Sequence, residues 1–158
     1  MKILIRDFEE PDREICEEIL GGLNDWFGIQ SSNEGYIAIL GKIPTAVAVV
    51  DEKIKGFVAL EQHNSESVEL HIFAVEKKYH GSGIGTELLD WAESWCRSKK
   101  VSWFHVKTRG PSTPDPWYEK TRRFYQAKGF AQLFESLTLW GPEDAALIMV
   151  KKLSPDKP

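Results

Sequence analysis

The stretch HGSGIG at residues 80–85 constrains this chain more than any other part of it. Its three glycines, Gly81, Gly83 and Gly85, follow a run that alternates like a strand, SVELHIFAV at 67–75. They precede a run in which Ile84, Leu88, Trp91, Ala92 and Trp95 fall at helical spacing. A further strand, VSWFHVK, comes next, so the unit is a strand–helix–strand crossover whose strands, around residues 70 and 104, are parallel. A helix start presents N–H groups without intrahelical partners and the positive end of the macrodipole, and a glycine-lined approach brings phosphate oxygens to them. The same glycines also suit a plain tight turn that needs an unusual backbone angle.

Two common phosphate binders are excluded by the details. A P-loop needs Gly-Lys-Ser/Thr at its end, and Ile84-Gly85-Thr86 has no lysine. A dinucleotide fingerprint needs a third glycine where Thr86 stands. It also needs an acid about 20 residues on, where Val101, Ser102 and Trp103 occur.

The rest of the chain surrounds this crossover with antiparallel elements. Residues 2–7 alternate as a strand, and Pro11 opens a helix (PDREICEEILGG) with Ile15, Ile19 and Leu20 on one face and Gly21–Gly22 as its stop. A second helix is expected from Asn33, its cap, to about Leu40. TAVAVV, the turn Asp51–Glu52–Lys53 and IKGFVALEQ form a hairpin. After the crossover a proline-rich loop, RGPSTPDP, leads to the helix WYEKTRRFYQAK, which Gly129 ends in a left-handed conformation. FAQLFESLTLW and AALIMVKKL, broken by Gly141–Pro142, are the last strands. The order predicts an α/β (α+β) fold with one mixed sheet and helices on both faces. At 158 residues and 42% hydrophobic content, one domain over 1–153 is expected, with 154–158 as a disordered tail.

Composition narrows the partners. A formal net charge of −4 offers no broad surface for nucleic acid. The pairs Lys77–Lys78 and Arg122–Arg123 suit either a small anion or solvated faces. No apolar run approaches the ~20 residues of a membrane span, and MKILIRDFEE is too short and charged for a signal peptide. Cys16 and Cys96, far apart, read as reduced thiols of a cytoplasmic protein. Four scattered histidines give a metal site little support, and none is expected.

The glycine stretch resembles the signature of the GNAT superfamily of N-acetyltransferases, Arg/Gln-x-x-Gly-x-Gly/Ala after a strand ending in Val. Here the stretch is FAV-EKKY-HGSGIGTELL, with His80 in place of arginine or glutamine. A second match follows about forty residues on. The family's later helix reads Asn-x-x-Ala-x-x-Phe-Tyr-x-x-x-Gly-Phe; this chain keeps Phe124, Tyr125, Gly129 and Phe130 but has Tyr118 and Thr121 for Asn and Ala. The resemblance, over about residues 55–152, implies the GNAT (acyl-CoA N-acyltransferase) fold. That is a mostly antiparallel sheet of about seven strands with a splayed pair in the middle. It also implies an acetyltransferase that uses acetyl-CoA as cosubstrate.

By the same resemblance the pantetheine arm lies along Phe73, Ala74 and Val75, and the pyrophosphate on His80, Gly81, Ser82, Gly83, Ile84, Gly85 and Thr86, with Tyr118 also near the coenzyme. Tyr125 is the candidate acid that protonates the departing thiolate, its phenol near pKa ~10 being a competent donor; the alternative is an aromatic core residue. Glu69 is the candidate base, and period two puts His71 and Phe73 on its face. His71, or water, could serve instead. Trp26, Phe27, Tyr36, His71 and Trp140 are candidates for the acceptor pocket, and the 110–116 loop is either a lid or a surface insertion. The expected acceptor is a small-molecule amine, the alternatives being a peptide N-terminus or lysine, or a non-catalytic acyl-CoA sensor. The protein is expected to be a monomer or homodimer.

Overall fold

A two-residue turn organises the first sheet segment. In a computed structural model, which describes residues 1–28 and 30–154 (30 and 31 by backbone only), Asp51 and Glu52 both take positive φ, 49° and 63°. Two such residues match the twist of a tight hairpin. They join β2 (Thr45–Val50) to β3 (Lys53–Gln62), with a bulge between Ala48 and Val49. β1 (Leu4–Asp7) pairs antiparallel with β2. β4 (Ser67–Val75) and β5 (Trp103–Arg109) are parallel, as the crossover requires, through Ser67↔Trp103, Val68↔Phe104 and Glu69↔His105. β7 (Ala146–Lys152) runs antiparallel to both β5 and β6 (Ala131–Ser136). The seven strands lie in the order β1-β2-β3-β4-β5-β7-β6. Among the described residues there are four α-helices: α1 (Arg13–Gly21), α2 (Gln30–Ile39), α3 (Ile84–Ser98) and α4 (Pro116–Ala127).

The chain divides into two compact units, Met1–Glu61 with Leu70–Trp95, and Gln62–Glu69 with the chain from Cys96 on. In the first unit α1 and α2 bury Cys16, Ile19, Leu20, Leu23, Ile37 and Leu40 against Val47, Phe57, Ala59, Ile72 and Ala74. Each large apolar side chain withdrawn from water there contributes about 1.5–3 kcal/mol. Gly56, the neighbour of Phe57, faces the other way. A Cβ there would lie 3.1 Å from Leu88 Cδ1, 3.2 Å from Ile84 Cγ2 and 3.0 Å from the Ala74 carbonyl, so α3 seats where no side chain fits.

In the second unit α4 is capped at both ends. Asp115 Oδ1 accepts the N–H groups of Trp117 (2.9 Å) and Tyr118 (3.4 Å), Pro116 opens the helix, and Gly129 leaves it at φ +94°. Phe104, Tyr125 and Phe130 form its aromatic core.

Three local expectations are corrected. α1 begins after a 3-10 turn (Glu10–Asp12), and its buried face is Cys16, Ile19 and Leu20, with Ile15 turned outward. Asn33 is not a cap but sits inside α2, where its amide donates to the Phe27 carbonyl at 2.8 Å. The run LTLW beyond β6 forms no strand, and Leu137, Leu139 and Trp140 are exposed in a bend region. Of the expected tail, only the exposed Ser154 lies within the described residues. No described helix is long and apolar enough to cross a membrane.

Candidate active site

The route from β4 into α3 shows why glycine is needed where it stands. After Val75 a 3-10 turn, Lys77–Tyr79, carries the chain to His80. Gly81 and Gly83 then take φ +80° and +95°, a region that costs any residue with a Cβ. Both face open space: nothing lies within 4 Å of a Cβ placed on Gly81, and only Ile3 Cδ1, at 4.0 Å, near one on Gly83. Glu87 donates the first α-helical bond, to the Gly83 carbonyl at 3.1 Å, so the amides of Ile84, Gly85 and Thr86 precede the α3 ladder. Three amides at a helix start, with the positive end of the helix dipole, are the kind of group that attracts an anion.

The flanking side chains hold this route in shape. Ser82 directs both its amide and its hydroxyl to the Tyr79 carbonyl. His80 turns back onto the strand, its Nε2 2.7 Å from the Val75 carbonyl and its ring edge-on to Trp26 at 5.2 Å. Lys77 meets Asp25 at 3.1 Å, while Lys55 (2.9 Å) and Lys78 (3.8 Å) share Glu76. The cationic pair read from the sequence is therefore balanced by acids. An open groove of about 1000 Å³ in the same unit, lined by Leu4, Ile15, Val49, Lys53 and Ile54 among others, includes none of residues 80–86.

Along β4 the burial pattern alternates as period two demands, with one exception. Val68, Leu70, Ile72 and Ala74 are buried and His71, Phe73 and Val75 half-buried, but Glu69, on the half-buried side, is only 5% exposed. In the first unit three of the five expected acceptor-side residues, Phe27, Tyr36 and His71, come together. The rings of Phe27 and Tyr36 meet edge to face at 6.0 Å, those of Tyr36 and His71 at 5.7 Å, and His71 Nδ1 lies 3.3 Å from Glu61 Oε2. Trp26 belongs instead with His80. Glu61 was not foreseen, although an acid ending the otherwise apolar run GFVAL was a usable signal.

Glu69 lies in the second unit, where His63 Nε2 (2.7 Å) and Lys107 Nζ (3.1 Å) both meet its Oε1. His105 stacks on His63 at 5.6 Å, and burial pushes its pKa down. Sequence reasoning missed this group, since it joins a loop histidine to a strand paired through tertiary structure.

Tyr125 is 4% exposed, edge-on to Phe124 (5.7 Å) and Phe130 (5.5 Å), and burial pushes its phenol well above the ordinary tyrosine range. Tyr118 lies under the Arg109 guanidinium at 5.5 Å. Trp140 is exposed. The 110–116 loop is tied down: Ser112 donates twice to Glu135, Ala145 donates to Thr113 Oγ1, and Arg109 binds both Asp115 and Asp144.

Residues 42–132 match the model of the acetyltransferase (GNAT) domain, a span that includes both the glycine loop and Tyr125. The chain belongs to this family. No curated protein matches it by sequence. Among solved structures, this GNAT chain resembles Ard1 from Thermoplasma volcanium, at 19% identity and TM-score 0.80, covering 98% of this chain and 99% of that one. It also resembles the PaiA N-acetyltransferase of Thermoplasma acidophilum in complex with coenzyme A (20%, TM-score 0.75, 96% and 99%). A GNAT acetyltransferase from Elizabethkingia anophelis with acetyl-CoA bound gives 17% identity and TM-score 0.71 over 96% and 98%. At these identities the likeness is one of fold.

Proposed function

We propose that this GNAT acetyltransferase moves the acetyl group of acetyl-CoA to the amine of a small molecule, by direct attack on the thioester within a ternary complex. The observation that carries the reading is the glycine turn between β4 and α3: Gly81 and Gly83 take positive φ with open space where a Cβ would stand, and the amides of Ile84, Gly85 and Thr86 precede the helical ladder. The coenzyme's pyrophosphate would be held there by backbone donors, with the pantetheine arm along Phe73–Val75. Because His80 is turned onto the Val75 carbonyl, the amides rather than a cationic side chain supply the attraction.

For the leaving group the reading assigns Tyr125. Burial raises the phenol's pKa and so favours its protonated form, the state a donor to a departing thiolate needs. Glu69, already holding Lys107 and His63, is better suited to anchoring charge than to taking up a further proton. Two buried cysteines, Cys16 and Cys96, suit a reducing compartment such as the cytoplasm.

The test is calorimetric titration with acetyl-CoA, followed by thiol release in the presence of a panel of amines. Saturable binding with release that requires an amine is the expected result. Absence of coenzyme binding overturns the reading, and tight binding without turnover on any amine removes the transferase part of it.

A further inference from the structure

We propose that Asp25 and Trp26 are positioning residues that clasp the turn after β4, so that coenzyme seated on that turn sets the ring of Phe27 on the acceptor side. The inference rests on the acetyl-transfer reading above and deepens it, by naming how one substrate prepares the place of the other.

The segment between α1 and α2 forms a single local turn. The amides of Trp26 and Phe27 both donate to the Leu23 carbonyl, at 2.9 and 2.8 Å. Three successive side chains then leave it toward different partners. Asp25 Oδ2 accepts from Lys77 Nζ at 3.1 Å, and the Trp26 ring lies edge-on to His80 at 5.2 Å. Phe27 meets Tyr36 at 6.0 Å, Tyr36 meets His71 at 5.7 Å, and Asn33 donates to the Phe27 carbonyl from inside α2. Residues 25 and 26 therefore touch the expected pyrophosphate turn, and residue 27 touches the expected acceptor wall.

His80 makes this contact possible. Its Nε2 donates to the Val75 carbonyl at 2.7 Å, which fixes the imidazole at the end of β4 with its ring against the indole. A glutamine there would keep a donor for Val75 and lose the ring. The turn itself carries two glycines at positive φ in open surroundings, so its shape is set by a few side-chain contacts: His80 with Val75, Ser82 with Tyr79 and Lys77 with Asp25. A pyrophosphate bonded to the amides ahead of α3 favours one shape of the turn, the one that brings Lys77 and His80 to Asp25 and Trp26. The contacts bound the strength of the link. An exposed ion pair biases a conformation by about fivefold at most, and an edge-on ring pair by about 2- to 10-fold. Coenzyme binding and the order of Phe27 are thus coupled by about 50-fold at most, and equally in both directions.

The experiment follows the ¹⁹F NMR line of 4-fluorophenylalanine placed at position 27 while coenzyme A is titrated, with calorimetry for binding and thermal midpoints for folding. In the protein without other changes the line should move and saturate together with the calorimetric curve. Trp26→Phe, which keeps a ring against His80, should retain the movement. Trp26→Ala and His80→Gln should each bind coenzyme A about 2- to 10-fold more weakly and, at saturation, lose most of the movement. Asp25→Asn should cost about fivefold at most. If Trp26→Ala does not fold, His80→Gln, a change at an exposed side chain, decides alone. A line that stays still although coenzyme binds overturns the clasp and leaves acetyl transfer intact. So does a line that moves as far in saturated Trp26→Ala and His80→Gln as without them, since the coenzyme then acts on Phe27 directly. No binding of coenzyme A by the wild type overturns both.

Discussion

Replacing Gly81 or Gly83 by alanine separates a binding loop from a mere turn. Each glycine sits at a φ, +80° or +95°, where an L-residue is strained by about 1–3 kcal/mol. A methyl at either place meets no crowding, with nothing within 4 Å of the first and only Ile3 Cδ1 at 4.0 Å from the second. The cost is therefore one of backbone conformation alone. In a chain of 158 residues each kcal/mol lowers the thermal midpoint by about 2–4 °C, so a fall of roughly 2–12 °C is expected. If the loop relaxes to relieve the strain, the amides ahead of α3 turn away, and each hydrogen bond to a charged oxygen is worth about 1.5–3 kcal/mol. Affinity for coenzyme A should then drop about 10- to 100-fold per variant. Gly129→Ala is the control: it carries similar strain at φ +94°, with Lys151 Cε 3.3 Å from its Cβ, at the end of α4. It should lose stability and keep coenzyme affinity. Calorimetry and a melting curve on the three variants decide the matter. Gly81→Ala and Gly83→Ala proteins that melt early yet bind coenzyme A like wild type would refute the reasoning.

Other outcomes follow from the same structure. Tyr125→Phe should lower kcat about 10²-fold or more while the KM for acetyl-CoA holds, and steady-state kinetics that show an unchanged kcat remove Tyr125 as the acid. Gly56→Ala puts a Cβ 3.0–3.2 Å from three atoms and should destabilise the packing of α3 by about 1–3 kcal/mol, read as a lower denaturation midpoint. Asp12 accepts two bonds from Arg6 (2.7 and 2.9 Å) and one from the Glu9 amide, and the Arg6 hydrogen bond comes first among the causes that lower its pKa. A carboxylate whose folded pKa is depressed stabilises above its unfolded value, near 3.8, and loses that contribution as pH falls through the folded value. Asp12→Asn should therefore cost about 1–3 kcal/mol at pH 7, with the gap to wild type closing below about pH 3.8 in urea titrations.

The sequence made legible what depends on short-range periodicity. The parallel pair around residues 70 and 104 follows from one crossover, and the left-handed Gly129 from one helix end. The glycine loop was legible because strand, glycines and helix are contiguous. Elements decided by tertiary contact were not. Asn33 resembles a cap until the Phe27 carbonyl is seen to take its amide, and Ile15 shares the helical spacing of Ile19 yet faces outward. The partners of the candidate bases were hidden for the same reason. Glu61 reaches His71, and His63 reaches Glu69, across turns whose geometry no periodicity encodes.

The most direct test of the central claim is a ¹⁵N–¹H correlation spectrum of the protein titrated with coenzyme A. The largest shifts should fall on the amides of Gly81, Gly83, Ile84, Gly85 and Thr86, with smaller ones at Phe73–Val75, and should saturate together. Saturating shifts that leave residues 80–86 untouched, or no shifts at all, would contradict the account.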